Sequence, residues 1–339
     1  MDKKKIVIIG SNHVAALELI FKKQLEQMGY EVILFPAQTM FLSFYNLSLW
    51  NKILFRLDLS KILSVIQMAL KNLIIVENPS LVIVFKGMEV KPSTLIWMKE
   101  RGIIICNYNP DHPFIFSGKG SGNKCVSESI TLFDYYISYA DDVVDRLKNQ
   151  GVKSFKLPFG FNDGGFIFDE LVSDNEVLKC CFLGNADKYR VHFLNQLANL
   201  GLEIDVYGEN WHSFKINKTI TIGPPKYGRD FWKTLQLYSV QLNLLRPHNC
   251  NSHNMRSFDI PGAGGIMLAP TTNDHKSFFE ENRDVFLFDS LEMAFEKAQI
   301  ILNLSFDERQ IIRKSARIRA LKFHKYEDRV NQFISNVVI

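Results

Sequence analysis

Short runs of β-branched and aromatic residues alternate along the chain with longer segments in which apolar residues recur every three or four positions. In the first half the short runs are Lys5–Ile9, Glu31–Phe35, Leu81–Phe85, Ile103–Tyr108 and Tyr135–Ser138, and the longer ones predict helices near Val14–Met28, Leu47–Glu77, Pro92–Arg101 and Asp141–Gln150. Apolar strands joined by helix-length connections point to a parallel sheet covered on both faces, a doubly wound domain. Leu157-Pro158-Phe159-Gly160 then interrupts the alternation, as proline and glycine do at boundaries, and predicts a domain junction. A second series follows at Leu178–Leu183, Ile204–Tyr207, Thr219–Ile222, Val240–Leu245, Ile266–Ala269 and Val285–Phe288. Asp289-Ser-Leu-Glu292 and Ser305-Phe-Asp-Glu308 have the form of capping boxes and predict two closing helices. The expected organisation is α/β throughout. Residues 1–158 form one Rossmann-like domain, 159–325 a second facing it across a central cleft, and 326–339 a C-terminal helix packing back toward the first.

Composition agrees with two ordered cores: 339 residues suit two domains, and 47% hydrophobic with 12% aromatic residues is far from a disordered composition. The opening MDKKKIVIIG is basic but lacks the apolar length and cleavage site of an export signal, so the expected location is cytoplasmic. Met40–Val76 is the most lipophilic region, yet Lys52, Arg56, Asp58, Lys61 and Lys71 divide it below the roughly 18 apolar residues that a membrane span needs. Five cysteines without spacing pattern read as structural thiols in a reducing compartment. The net charge of +4 is concentrated at the front, where residues 1–158 hold 19 Lys+Arg against 14 Asp+Glu. With the aromatics of that half, this suggests peripheral contact with an anionic lipid surface at the inner face of a membrane, or a phosphorylated acceptor; scattered surface lysines are the plain alternative. The lysines form no dense stripe, which disfavours nucleic acid.

Three segments carry candidate chemistry. The first strand ends in Gly10-Ser-Asn-His13, one glycine where a dinucleotide fold wants three, and the second runs into Phe35-Pro36-Ala37 rather than an acidic residue; nicotinamide chemistry is disfavoured. His13 reads as an acceptor contact or a helix cap. The fourth strand leads into Asn109-Pro-Asp111-His112-Pro113, where flanking prolines hold an acid and an imidazole at the sheet's carboxyl edge. Asp111 and His112 are the candidate catalytic pair, with His112 either taking a proton from an acceptor hydroxyl or donating hydrogen bonds to a sugar. The segment Leu244–Ile266 runs from a strand through a polar loop into a short helix and a glycine cluster. Amides at that helix start offer a pyrophosphate seat, Arg246 and Arg256 compensating charge, and Asp259 an acceptor for ribose hydroxyls. No DxD sequence in suitable surroundings suggests a metal-held diphosphate; the expectation is no cofactor and no required metal.

From Cys181 onward the chain resembles the spore-maturation-protein-like branch of the group 1 glycosyltransferases. The resemblance rests on Phe182-Leu-Gly-Asn185 with Arg190, Val206-Tyr-Gly-Glu-Asn-Trp211, Ser239–Asn243, Arg256-Ser-Phe-Asp-Ile-Pro261, Thr272-Asn-Asp-His275 and His324-Lys-Tyr-Glu-Asp-Arg329, in that order. It implies a GT-B architecture and transfer from a nucleotide-sugar donor to a glycan or lipid-linked acceptor, in cell-surface polysaccharide synthesis. A nucleotide-sugar epimerase of similar fold and a non-catalytic binding relative are the alternatives. The resemblance places Asp259 where the family holds the donor ribose with a glutamate, and Arg190 and Arg256 near the diphosphate. Asn254 falls where the helix-start backbone meets phosphate, with Gly184 and Asn185 at the lip of the first C-terminal strand. Trp211 and Phe258 are expected to stack on the base or to pack, and His253 and His275 to touch ligand or hold loops. Asn251 stands where the wider retaining superfamily has an acid, which leaves the stereochemistry open.

Overall fold

The computed structural model describes residues 4–14, 16–116, 120–162, 165, 166, 168, 171–246 and 251–337. The chain divides into two compact units, Met1–Pro158 with Arg329–Ile339, and Phe159–Asp328.

The first unit runs β1 (Lys5–Ile9), α1 (Leu17–Gln27), β2 (Glu31–Phe35), α2 (Ala37–Leu47), α3 (Leu49–Arg56), α4 (Ile62–Glu77), β3 (Leu81–Phe85), α5 (Pro92–Lys99), β4 (Ile104–Asn109), α6 (Lys124–Ser129), β5 (Tyr135–Ser138), α7 (Asp141–Asn149) and β6 (Ser154–Lys156). Its sheet is parallel in the order β2-β1-β3-β4-β5-β6. All five residues of β3 are buried, as a central strand covered on both faces requires. The helix expected over Leu47–Glu77 is instead two, α3 and α4, and α2 before them was not read. Ser48 ends α2 in an extended conformation and accepts the Asn51 amide at 3.1 Å to start α3, and Asp58, at φ 60°, stops α3 before Ser60 accepts the Ile62 amide at 3.3 Å. Short punctuating polar residues override an apolar period that continues through them. The three-residue edge strand β6 was also unread.

The second unit runs β7 (Val177–Leu183), α8 (Lys188–Asn199), β8 (Ile204–Tyr207), β9 (Ile220–Gly223), α9 (Gly228–Leu237), β10 (Tyr238–Leu242), α10 (Arg256–Ala263), β11 (Met267–Pro270), α11 (Asn273–Phe278), β12 (Val285–Phe288), α12 (Leu291–Asn303) and α13 (Phe306–Phe323). Its parallel sheet has the order β12-β11-β10-β7-β8-β9, so the winding direction reverses between β7 and β10. Ser305 and Glu308 form a reciprocal capping box on α13. The box expected at Asp289–Glu292 is not formed: Ser290, one residue on, takes the extended cap conformation and accepts the Met293 amide at 3.1 Å. The last helix, α14 (Tyr326–Asn336), gives Arg329 onward to the first unit, where the Phe333 and Phe21 rings meet edge-on at 5.9 Å. Cys106, Cys125, Cys180 and Cys181 are free thiols; Cys250, with the rest of 247–250, lies outside the described residues.

Candidate functional site

In an open parallel sheet, ligands bind outside the carboxyl ends of the strands where the winding reverses. In the second unit that point lies between β7, which ends in Leu183-Gly184-Asn185, and β10, which ends in Leu242 and runs on to Arg246. The two strand ends are tied by Arg190, in the first turn of α8. Asp187 caps that helix by accepting the Arg190 amide at 3.0 Å, and the guanidinium donates to Asn185 O at 3.1 Å and to Leu244 O at 3.2 Å. Its Nε is buried with no hydrogen bond among the described residues, 3.5 Å from Asp187 Oδ2. Burial lowers the Arg190 pKa to about 10; Asp187 opposes that, and Arg246 and Arg256 reinforce it. Three arginines thus share one electrostatic neighbourhood, with Asp187 beside Arg190 and Asp259 beside Arg256.

The α10 start faces the same crevice. Asn254 Oδ1 accepts the Ser257 amide at 3.1 Å and Ser257 Oγ accepts the Asn254 amide at 3.2 Å, a reciprocal cap. Asn243 Nδ2 donates to Ser257 Oγ at 3.1 Å and its Oδ1 accepts from Asn254 at 2.8 Å, so the end of β10 fixes the helix. His275 Nδ1 donates to Pro270 O at 2.8 Å, which leaves Nε2 to accept the Ser257 hydroxyl at 2.8 Å; burial pushes its pKa down to about 4, and the ring is neutral. The Asn254 amide expected to meet phosphate is thereby engaged. The free donors are the next two, Met255 and Arg256, whose amides have no partner among the described residues. Asp259, one turn on, is buried and bonded to Arg256 Nη1 at 2.6 Å. Burial raises its pKa to about 6, with Arg256 pulling the other way.

Other expected donor contacts turn out to be packing. Trp211 is fully buried in the sheet core, edge-on to Phe182 at 5.8 Å, with Nε1 donating to Gly184 O at 3.0 Å; it supports the Gly184 turn rather than stacking on a base. Gly208 allows that turn, since a Cβ there would lie 2.1 Å from Gly184 O. Phe258 is 0% exposed among His253, Phe278 and His324 rings at 5.1–5.4 Å. His253, also 0% exposed, donates from Nδ1 to Asp274 at 2.6 Å and accepts the Phe159 amide on Nε2 at 3.1 Å. Both nitrogens are spent on holding the loop.

In the first unit, His13 is exposed beyond β1, its amide held by Ser11 Oγ at 3.1 Å. Asp111 pairs with Lys86 at 2.6 Å. The buried His112 accepts the Phe114 amide on Nδ1 at 3.2 Å, so its neutral ring carries the proton on Nε2, 3.8 Å from Asp142; burial lowers its pKa. Sequence reasoning missed Asn243, Ser257 and Asp187 in the second unit. The signal available for Asn243 was a polar residue at the carboxyl end of a strand and for Asp187 one position before a helix; Ser257, inside the first turn of α10, carried neither.

These two parallel α/β units define the class: the fold is of the GT-B type. A glycosyltransferase from Rickettsia africae is 12% identical with a TM-score of 0.66 over 99% of this chain and 98% of that one. Anabaena HepE in complex with UDP-glucose is 10% identical with a TM-score of 0.63 over 98% of this chain and 100% of that one. A UDP-GlcNAc 2-epimerase from Methanocaldococcus jannaschii is 12% identical with a TM-score of 0.52 over 94% and 99%. No curated protein sequence matches. The family model described as "Glycosyl transferase-like" matches residues 190–335, which include Arg190, α10 and Asp259, and this match together with the structural neighbours supports a group 1 glycosyltransferase. The matches do not single out a branch of that group.

Proposed function

We propose that this protein transfers a sugar from a nucleoside-diphosphate donor to a hydroxyl of a glycan or lipid-linked acceptor. The observation that carries this reading is the convergence of Arg190, Arg246, Arg256, two unengaged helix-start amides and Asp259 at the switch point of the second unit. Arginines and amides suit a diphosphate, in the ground state and more so as it departs with developing charge. Asp259 takes the ribose hydroxyls in exchange for part of its bond to Arg256. The positive charge comes from side chains, so donor binding needs no divalent cation. His112, with its proton on Nε2, serves as a hydrogen-bond donor to the transferred sugar and not as a base, and Asp111, paired with Lys86, is proposed beside it. His13 is proposed as an acceptor contact. A thermal-shift screen with nucleoside diphosphates and their sugars, with and without chelator, tests the reading, because a ligand of the native state raises its melting temperature. At least one nucleotide should do so in the presence of chelator; none doing so under any condition contradicts it.

The helices α2 to α4 support an acceptor carried by a membrane at the cytoplasmic face, as in polysaccharide assembly. Leu47, Leu49, Trp50, Leu57, Leu59 and Met68 are all exposed there, interspersed with Lys52, Arg56 and Lys61, a face suited to lying on anionic lipid. No helix among the described residues is long and apolar enough to cross a membrane. Vesicle binding that weakens with salt is expected, and no binding to anionic vesicles at low salt refutes this part. The epimerase reading is favoured by one observation, the likeness to a UDP-GlcNAc 2-epimerase fold; conversion of the nucleotide-sugar without any acceptor separates the two.

A further inference from the structure

At the end of α10 away from the β7–β10 crevice, Ala263 and Gly264 line a cavity of about 150 Å³ that lies wholly within the second unit. Its other walls are α9, α13 and the segment carrying Phe168 and Leu171. The volume is roughly ten times what one water molecule needs, enough for a small ligand. The α13 wall consists of Gln310, Arg313, Lys314 and Arg317, whose three- and four-residue spacing puts them on one face of the helix. Three of the four are cationic, and no acidic residue lines the cavity among the described residues.

Arg313, 3% exposed, belongs to a buried cluster in which two guanidiniums share one carboxylate. Glu176 accepts from Arg309 Nε at 2.9 Å and Nη2 at 2.7 Å, and pairs with Arg313 Nη2 at 2.8 Å; that same Nη2 donates to Tyr238 O at 3.0 Å. Arg309 is further engaged by the Ile301 and Leu302 carbonyls near the end of α12, each at 3.4 Å. Arg313 has no such relief: its Nε and Nη1 are buried with no hydrogen bond among the described residues. Tying β10 to Glu176 uses only Nη2, so the tie leaves two donors of a buried cation unexplained. Arg317 is held at the cavity by a carbonyl and a ring, donating from Nη1 to Gly262 O while its guanidinium lies 4.1 Å over Phe168. Lys314 is exposed and marks the side open to solvent. Water can satisfy idle donors, whereas an anion satisfies both the donors and the charge. A dianionic phosphate answers three cations better than a carboxylate does, and Phe168 and Leu171 leave an apolar wall for a short carbon chain.

We propose that this cavity is a second anion site, separate from the donor seat at the start of α10, and that it takes a small phosphate monoester. The proposal stands apart from the glycosyl-transfer reading, and the probe is glycerol 3-phosphate. Calorimetric titration of the full chain should saturate below about 10 mM. Lys314→Glu, a charge reversal at an exposed position, should weaken that binding at least about tenfold. Arg190→Ala, which strips the donor seat, should bind the probe within threefold of the wild type. No binding below about 10 mM, or a Lys314→Glu variant within threefold of the wild type, overturns the assignment. So does loss of binding in Arg190→Ala, which would put the phosphate in the donor seat. If Arg190→Ala does not fold, Lys314→Glu decides alone, because Lys314 is no part of that seat. Nucleoside-diphosphate affinity should be unchanged in Lys314→Glu. A chain that binds glycerol 3-phosphate at this site but no nucleotide keeps the second site and loses the donor reading.

Discussion

The two sheets are built on one plan and differ at their carboxyl edges. In the second unit the switch point collects Arg190, Arg246 and Arg256 with two idle amides, and its acid, Asp259, is already paired with Arg256. In the first unit it collects Glu18, Glu89 and Asp111 around Lys86. The two carboxyl edges thus carry opposite polarity on the same scaffold. The positive edge suits the anionic diphosphate of the proposed donor.

The largest effect on that contrast is expected from Arg190→Ala. It removes a buried charge and the tie between β7 and β10, so nucleotide affinity should fall about 100-fold by calorimetry, with a lower melting temperature. Unchanged affinity would erase the positive edge. Asp259→Ala should weaken donor binding about tenfold or more, the usual worth of a hydrogen bond to a charged group. Because its carboxyl titrates at about 6 and must be ionised to accept ribose hydroxyls, wild-type affinity should be full above that pH and decline as pH falls through it. Asp259→Asn should remove the decline; a wild-type profile flat from pH 5 to 8 contradicts the role.

His112→Ala tests the other edge and should slow turnover about tenfold without moving the nucleotide Kd, as loss of one hydrogen-bond donor predicts. An unaltered rate takes His112 out of the mechanism. The smallest effect is expected from Trp211→Phe, which loses the bond to Gly184 O inside the core. It should cost about 1 kcal/mol of stability in denaturant titration and leave affinity within twofold. A large loss of affinity at unchanged stability would return Trp211 to the donor site.

Most strands were legible because a parallel sheet buries both faces, leaving uninterrupted β-branched runs such as Leu81–Phe85. What failed were features decided by one or two polar residues inside a strong period. Asp58 in a left-handed conformation divides an apolar stretch that otherwise reads as a single helix. At the site, residue type was readable and direction was not. Arg190, Asp259 and His112 stand beyond the carboxyl ends of strands. Trp211, His253 and Phe258 have the right chemistry but turn inward, a matter of which side of a loop faces the core. Arg313 was invisible because Arg309-Gln-Ile-Ile-Arg313 matches no motif. Its character comes from burial and from Glu176 and Tyr238, distant in sequence.

The most direct measurement is a crystal structure with the nucleotide-sugar identified by thermal shift. The account predicts the diphosphate against the Met255 and Arg256 amides and the Arg190 guanidinium, with the ribose on Asp259. A nucleotide seated anywhere other than the crevice between β7 and β10 would contradict it.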